Sequence, residues 1–405
     1  MAINTDHSDV LVVGGGIGGL STALALSRTG YAVRVLEKEK DFAEVGAGLQ
    51  MAPNATRILR SWGVLDRAMA SGVFAKRLVL RDHADGKELT HLDLADVERR
   101  YGAPYFVMHR HDLLTSLYDA CDEAGVELLA NSCVDRVETA DDHASVVVGD
   151  REYRAEVLVA ADGLNSTVRS RFSDDTPVPS GYVAYRGALE MNEVPIEITE
   201  DMLSSVVAYI GPRRHLVQYP LRRGEMFNTV AVFQSPAFLR GEPQWGLPEE
   251  LEGAFAGSCQ AVQEGLTSLW RDRQWLMHDR EPIPNWVDRR IALLGDAAHP
   301  MLQYLAQGAC QAIEDAACLA GRARRHKEAA GSTDWTVVLK EYEATRTVRT
   351  ARVQTVARVW GDFWHVDGFT ARIRNQMLLD RSPTDYRHID WLFGEEHAAS
   401  AGQED

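Results

Sequence analysis

Residues 11–19 read Leu-Val-Val-Gly-Gly-Gly-Ile-Gly-Gly, and that run leaves the chain few ways to fold. An apolar strand enters a glycine turn, a small-residue helix follows over residues 20–27, and a second strand, Val33-Arg34-Val35-Leu36, ends in the acid Glu37. Together they make a complete dinucleotide-binding βαβ unit. Gly14 allows the tight turn, Gly16 lets backbone approach a pyrophosphate, and Gly19 lets helix and strand pack closely. The helix N-terminus supplies N–H groups and a partial positive charge for that pyrophosphate. Glu37 is placed to accept hydrogen bonds from a ribose diol.

Size and charge narrow the rest. A chain of 405 residues has room for two domains. A net charge of −16 argues against wholesale nucleic-acid binding, and the pairs Arg213-Arg214, Arg222-Arg223 and Arg289-Arg290 are small and scattered. Five cysteines form no CxxC pair and no metal-ligand spacing with histidine, so no metal site is expected, and their odd number suits reduced thiols in a cytoplasm. The first residues lack the basic and apolar segments of a secretory signal, and no apolar run is long enough to span a bilayer. The expectation is a cytoplasmic protein with no membrane and no nucleic-acid partner.

Patterning divides the chain. Val45-Gly46-Ala47-Gly48-Leu49-Gln50 forms a second glycine-rich loop before a helix over 53–62. Alternation predicts strands over 77–81 and 89–94, while Leu113, Leu114, Leu117 and Cys121 mark one face of a helix over 110–124. Strands near 134–137 and 145–148 precede a buried strand over 155–161 that ends in Asp162-Gly163. Segments 182–191, 205–210, 215–220 and 228–233 read as an inserted antiparallel sheet. Another buried strand, 290–294, runs into Gly295-Asp296-Ala297-Ala298-His299, after which the chain is mostly helical. The small polar residues from His397 onward read as a frayed end.

Three separated pieces act together: the N-terminal unit, Ala161-Asp162-Gly163, and Gly295-Asp296 with Gln307-Gly308 beyond it. A strand ending in Gly-Asp offers a carboxylate to a ribityl or ribose hydroxyl, and a helix opening at Gly308 can face the pyrimidine edge of a flavin. On these motifs the sequence resembles the single-component FAD-dependent aromatic hydroxylases, the family of para-hydroxybenzoate and salicylate hydroxylases, over roughly residues 8–395.

The resemblance implies an α/β fold: a Rossmann-like FAD-binding domain (1–180 with 285–350), an inserted antiparallel β-sheet substrate domain (181–284) and a helical C-terminal region (351–405). It also implies tightly bound FAD contacted by Gly14, Gly16, Ile17, Gly18, Gly19, Glu37, Lys38, Gly48, Leu49, Gln50, Arg110, Asp162, Gly163, Gly295, Asp296, Gly308 and Ala309. With only one glycine fingerprint, NADH would visit transiently as reductant, NADPH remaining open. Oxygen would then form a C4a-hydroperoxide that attacks an activated ring. The partners implied are a small aromatic acid and a second copy of the chain in a homodimer.

Where the family commonly carries a proline, four residues after His299, this chain has Gln303, whose side chain both donates and accepts. The runs around Gln303, around His215 to Tyr219 and around Tyr105 are similar to those of family members that convert 3-hydroxybenzoate to 2,5-dihydroxybenzoate (gentisate). Such oxygen transfer is electrophilic and needs a phenolate. A phenol titrates near 10 and histidine near 6.5, so His215 can take or relay the phenolic proton while Gln303 hydrogen-bonds the oxyanion. Tyr219 shares a sheet face with His215 by the period-2 rule. Tyr219, Tyr105 and Pro300 complete the expected substrate contacts.

Plainer readings stand beside these. His215 alone reads as a strand histidine, Tyr105 and Tyr219 as core, and Arg186 equally as an anion site or an exposed strand residue. His299 reads as structural, fixing the loop before Pro300. Trp360, Phe363, Trp364 and Trp391 read as core or subunit contact. Salicylate or another phenolic acid is the alternative substrate. Of other classes, a nicotinamide dehydrogenase would lack Asp162-Gly163 and Gly295-Asp296, and a non-catalytic flavin module would show no substrate-stimulated NADH oxidation.

Overall fold

The computed structural model describes residues 5–43 and 48–394. Val45, Gly46 and Ala47 of the second glycine-rich loop, and the tail from His397, lie outside the described residues. Strand Thr5–Val13 sits inside a mostly parallel sheet, pairing Val12 with Val35 on one side and with Val159 on the other. Strand Arg151–Ala160 in turn pairs with Ile291–Leu293, and Val33–Leu36 with Glu127–Leu129. Leu11, Val12, Leu158, Val159, Ala292 and Leu293 are all fully buried, as strands covered on both faces require. Helices Ile17–Ser27 and Gly308–Ala330 pack together on this sheet. The strand ends therefore deliver Gly14, Asp162 and Gly295 to one edge, where ligands of open α/β sheets bind.

The second sheet has seven strands, in the order 275–279, 178–190, 226–234, 214–221, 205–211, 77–82, 88–93. It is antiparallel except where Ser205–Gly211 runs parallel to Arg77–Asp82. The expected antiparallel insertion thus carries one parallel pairing. It also draws residues 77–93 into the sheet, away from the segment 1–180 in which the sequence reading had placed them. Strand geometry alone marks 77–93 as a hairpin; its partner, Ser205–Gly211, is more than a hundred residues away.

Alternation along the strands divides this sheet into two faces. Tyr185, Tyr209, Leu216, Ala231 and Phe233 bury one face against Leu251, Phe255 and Val262. The opposite face, carrying Ala184, Arg186, His215, Val217, Tyr219, Asn228 and Val230, turns to the first domain and the C-terminal helices. Helix Trp335–His365 is continuous across the expected boundary at 350, and its Trp360, Phe363 and Trp364 pack on this sheet. Among the described residues, no helix is long and apolar enough to cross a membrane, and no cluster of His, Cys, Asp and Glu could hold a metal ion.

Candidate active site

The glycine turn is sterically exclusive. Gly14 has φ of +103°, and a Cβ there would stand 2.4 Å from the Ala161 carbonyl oxygen. A Cβ on Gly19 would stand 1.9 Å from the Gly14 carbonyl oxygen. Glu37 closes the turn: its Oε2 accepts from the Gly15 N–H at 2.5 Å and its Oε1 from the Glu39 N–H at 2.9 Å. Lys38 sits beside it with its ammonium exposed, 3.9 Å from Glu39.

Whether these residues fit FAD can be judged from what they leave open. Helix Ile17–Ser27 begins at Ile17, Gly18 and Gly19, and helix Gly308–Ala330 at Gly308 and Ala309. Among the described residues, no side chain caps either N-terminus and no acid sits in either first turn. Two positive helix ends thus face outward from the sheet edge. Asp162 is half-satisfied, for its Oδ2 accepts from the Thr167 N–H at 3.0 Å while its buried Oδ1 has no partner. Gly163 and Gly295 both take positive φ, at +81° and +61°, and Asp296 is exposed at the start of the Gly308 helix. Anion-binding helix ends, an orphaned buried acceptor and two carboxylates at strand ends fit an extended, hydroxyl-rich dinucleotide with a pyrophosphate.

The Gly295–His299 loop is pinned from beneath by Asp315, a residue of the third motif to which the sequence reading gave no role. Fully buried Asp315 accepts at Oδ2 from the Gly295 N–H (3.0 Å) and from His299 Nε2 (2.6 Å), and at Oδ1 from Arg346 Nε (2.6 Å). Burial alone would raise the Asp315 carboxyl; His299 and Arg346 more than offset it and hold it below the usual range. Neighbouring Glu314 is held down at about 2, against burial, by Arg346 and Arg349. His299 is a structural residue, also packed on the Trp286 ring. Gln354 Nε2 donates to the Pro300 carbonyl at 2.8 Å, fixing the next turn.

Across from this edge lies the polar face of the second sheet. Strand pairing aligns Tyr219 with Asn228, Val217 with Val230, and His215 with Val232. Arg186, paired with Val230, falls in the middle row. The Tyr219 ring lies against Gly48, where a Cβ would meet its hydroxyl oxygen at 2.5 Å, and the Gly48 N–H donates to Asn228 Oδ1 at 3.2 Å. Gln50 accepts the Tyr105 hydroxyl at 2.5 Å, in the strand Gly48–Met51 that also carries Leu49. Arg110 opens the helix Arg110–Glu123, close enough to bear on the Arg186 charge. Arg186 Nη2 donates to Gln303 Oε1 at 3.0 Å. Six residues from five separate segments (Gly48, Gln50, Tyr105, Tyr219, Arg186 and Gln303) thus meet on one wall. Burial pushes both phenols up, Tyr105 far above its ordinary value, so each stays a protonated donor.

His215 is placed differently from its neighbours. It is buried, and its Nδ1 shares a hydrogen bond of 2.9 Å with Nε2 of His365, the last residue of the long helix. Tyr304, next to Gln303, meets the His215 ring edge-on at 5.6 Å, and Trp364 does so at 5.1 Å. Burial, with His365 adjoining, lowers the His215 imidazole well below 6.5, and burial with Arg374 takes His365 to about 3. The pair is therefore neutral at pH 7, one ring donating and the other accepting. No sequence signal pointed to His365. Arg186 had been balanced between anion site and surface residue, and the structure half-buries it on the site wall.

The FAD binding domain family matches residues 7–357 of this chain. The chain is 40% identical to 3-hydroxybenzoate 6-hydroxylase 1 of Aquipseudomonas alcaligenes over 96% of its length and 98% of that protein's. It is 35% identical to 3-amino-4-hydroxybenzoate 2-monooxygenase of Streptomyces cremeus, over 95% and 94% of the two chains. Among solved structures, Klebsiella pneumoniae HpxO complexed with FAD and uric acid superposes with a TM-score of 0.79 at 27% identity, covering 92% of this chain and 93% of that one. A salicylate hydroxylase substrate complex shares the fold with a TM-score of 0.77 at 23% identity, covering 95% of each chain.

Proposed function

We propose, from the premise that this chain belongs to the FAD binding domain family and is an FAD-dependent aromatic monooxygenase within it, that it hydroxylates 3-hydroxybenzoate to 2,5-dihydroxybenzoate with NAD(P)H and O2. FAD, when bound, supplies the chemistry: it takes a hydride from the nicotinamide and activates oxygen for electrophilic transfer to the ring. Gly14, Gly16, Gly19 and Glu37 would hold its adenosine end, Asp162 and Asp296 its hydroxyls, and the start of the Gly308 helix its pyrimidine edge. A cytoplasmic homodimer completes the proposal.

The observation that carries the substrate class is the wall itself. Arg186, Gln303 and Tyr219 put polar donors among otherwise apolar side chains, and the half-buried guanidinium has no carboxylate partner among the described residues. A hydroxybenzoate, with a phenolic oxygen for the donors and negative charge for the cation, answers both needs. We assign Gln303 to the phenolic oxygen and Tyr105 and Tyr219 to the rest of the substrate.

His215 takes the phenolic proton at Nε2, which requires its Nδ1–H to donate to His365 Nε2. His365 Nε2, by accepting that Nδ1–H, fixes the tautomer that leaves His215 Nε2 as the acceptor for the phenolic proton. Attack para to the resulting phenolate gives the 2,5-product. The reading is tested by NAD(P)H oxidation with each mono-hydroxybenzoate isomer and with 3-amino-4-hydroxybenzoate, the products being identified. Stimulation by 3-hydroxybenzoate with gentisate formed is the expected result; a different isomer, or oxidation without hydroxylated product, overturns it.

A further inference from the structure

Arg186 is a half-buried cation with no carboxylate partner among the described residues. Its Nη2 donates to Gln303 Oε1 at 3.0 Å, its guanidinium lies 5.3 Å from the Trp275 ring centre, and its Nε is buried with no partner. The other titratable groups that bear on it are the Tyr219 phenol and the Arg110 guanidinium, with Arg273 on the same Trp275 ring. Among the described residues, no carboxylate comes within ion-pair distance. A guanidinium whose Nε is shut off from water with no partner marks a place where an anion belongs.

The contact with Gln303 has a second consequence. A guanidinium has five donors and no acceptor, so the amide atom facing it must be the oxygen. The Gln303 NH2 is then turned away from Arg186, and among the described residues it makes no hydrogen bond. Freed of that contact, the same amide could flip and present its oxygen instead.

We infer that Arg186 is a positioning and specificity residue, which locks Gln303 as a one-way donor toward the substrate's ring heteroatom and, through its own charge, favours that heteroatom as an oxyanion. The inference rests on the reading that Gln303 faces the ring substituent. A phenolate oxygen accepts from the NH2 and is drawn by the cation. An aromatic amine in the same place sets donor against donor and gains nothing from the charge. The wall therefore selects hydroxybenzoates against aminobenzoates of the same shape.

The test uses FAD-loaded enzyme with 3-hydroxybenzoate and 3-aminobenzoate, their dissociation constants read from perturbation of the flavin spectrum. The ionisation of the bound phenol is followed in parallel by its ultraviolet difference absorption against pH. Arg186→Met should lower the preference for the hydroxy over the amino ligand by at least tenfold and raise the pH of bound-phenol ionisation by at least one unit. Arg186→Lys keeps the charge without the planar fork, so it should restore the ionisation and only part of the preference. Both quantities unchanged in Arg186→Met would overturn the inference. If Arg186→Met fails to retain FAD, Arg186→Lys decides: a preference unchanged from wild type overturns it. If the isomer screen selects another hydroxybenzoate, the substrate reading fails separately, and the same hydroxy–amino pair of that isomer tests Arg186.

Discussion

Asp315→Asn is the sharpest probe of how the cofactor edge is held. One carboxylate accepts from three donors, the Gly295 N–H, His299 Nε2 and Arg346 Nε, with no solvent exposure. Asparagine keeps one acceptor and substitutes an NH2 for the other. With the NH2 toward Arg346, two donors meet and a buried guanidinium loses one of its anions, Glu314 remaining. With the NH2 toward the loop, His299 can adapt, since its Nδ1 is unpartnered and can take the proton. The Gly295 N–H cannot. An orphaned buried donor costs about 1–3 kcal/mol, and breaking a buried ion pair about 3–5 kcal/mol, so the expected loss is about 3–5 kcal/mol. Because the same loop presents Asp296 to the start of the Gly308 helix, FAD affinity should fall at least about tenfold, or about 1.4 kcal/mol. Urea unfolding of the apoprotein gives the first quantity and FAD titration the second. Glu242→Gln, which breaks the exposed Arg240 pair, is the control and should change stability by less than about 0.5 kcal/mol. A stability within about 0.5 kcal/mol of wild type for Asp315→Asn, with FAD affinity within twofold, would refute the pinning argument.

Three further outcomes are expected. The His215–His365 pair has imidazoles shifted below their unfolded value, so its stability is full above pH 6.5 and is lost as pH falls from there toward about 3. For His365 the span corresponds to up to about 5 kcal/mol, and His365→Gln should flatten the dependence of the urea midpoint on pH across that window; an unchanged slope would remove the pair from the account. His215→Ser should slow hydroxylation at saturating substrate by about 10²–10⁴-fold while leaving FAD bound, and an unchanged rate in rapid-mixing measurements would exclude the proton-relay role. Gly19→Ala forces a Cβ onto the Gly14 carbonyl and should yield protein that purifies without flavin colour; yellow protein with normal FAD content would show that the turn relaxes more easily than its geometry implies.

Legibility in the sequence followed the range of the interaction. The strand Val33–Leu36, the helix after the glycine turn and the carboxylates at the strand ends were readable because each demand is local: a positive φ, a close backbone approach, an apolar run buried on both faces. His215 and Tyr219 were placed on one face by alternation alone, and the pairing agrees. Arg186 was left balanced because its partner depends on which strands flank it. The partnership of 77–82 with 205–211 was hidden for the same reason.

By itself, then, the sequence determined that a dinucleotide would sit on a βαβ edge and which short motifs would surround it, since steric and hydrogen-bonding demands within a turn do not depend on the rest of the chain. Tertiary structure alone decided which side chains face each other across the two domains. Gln303 meets Arg186 across 117 residues, and His215 meets His365 across 150. Such contacts are set by sheet register and helix length, which no local pattern encodes. It is the packing of one domain on the other that turns a glutamine into a directed donor and an isolated histidine into half of a neutral pair.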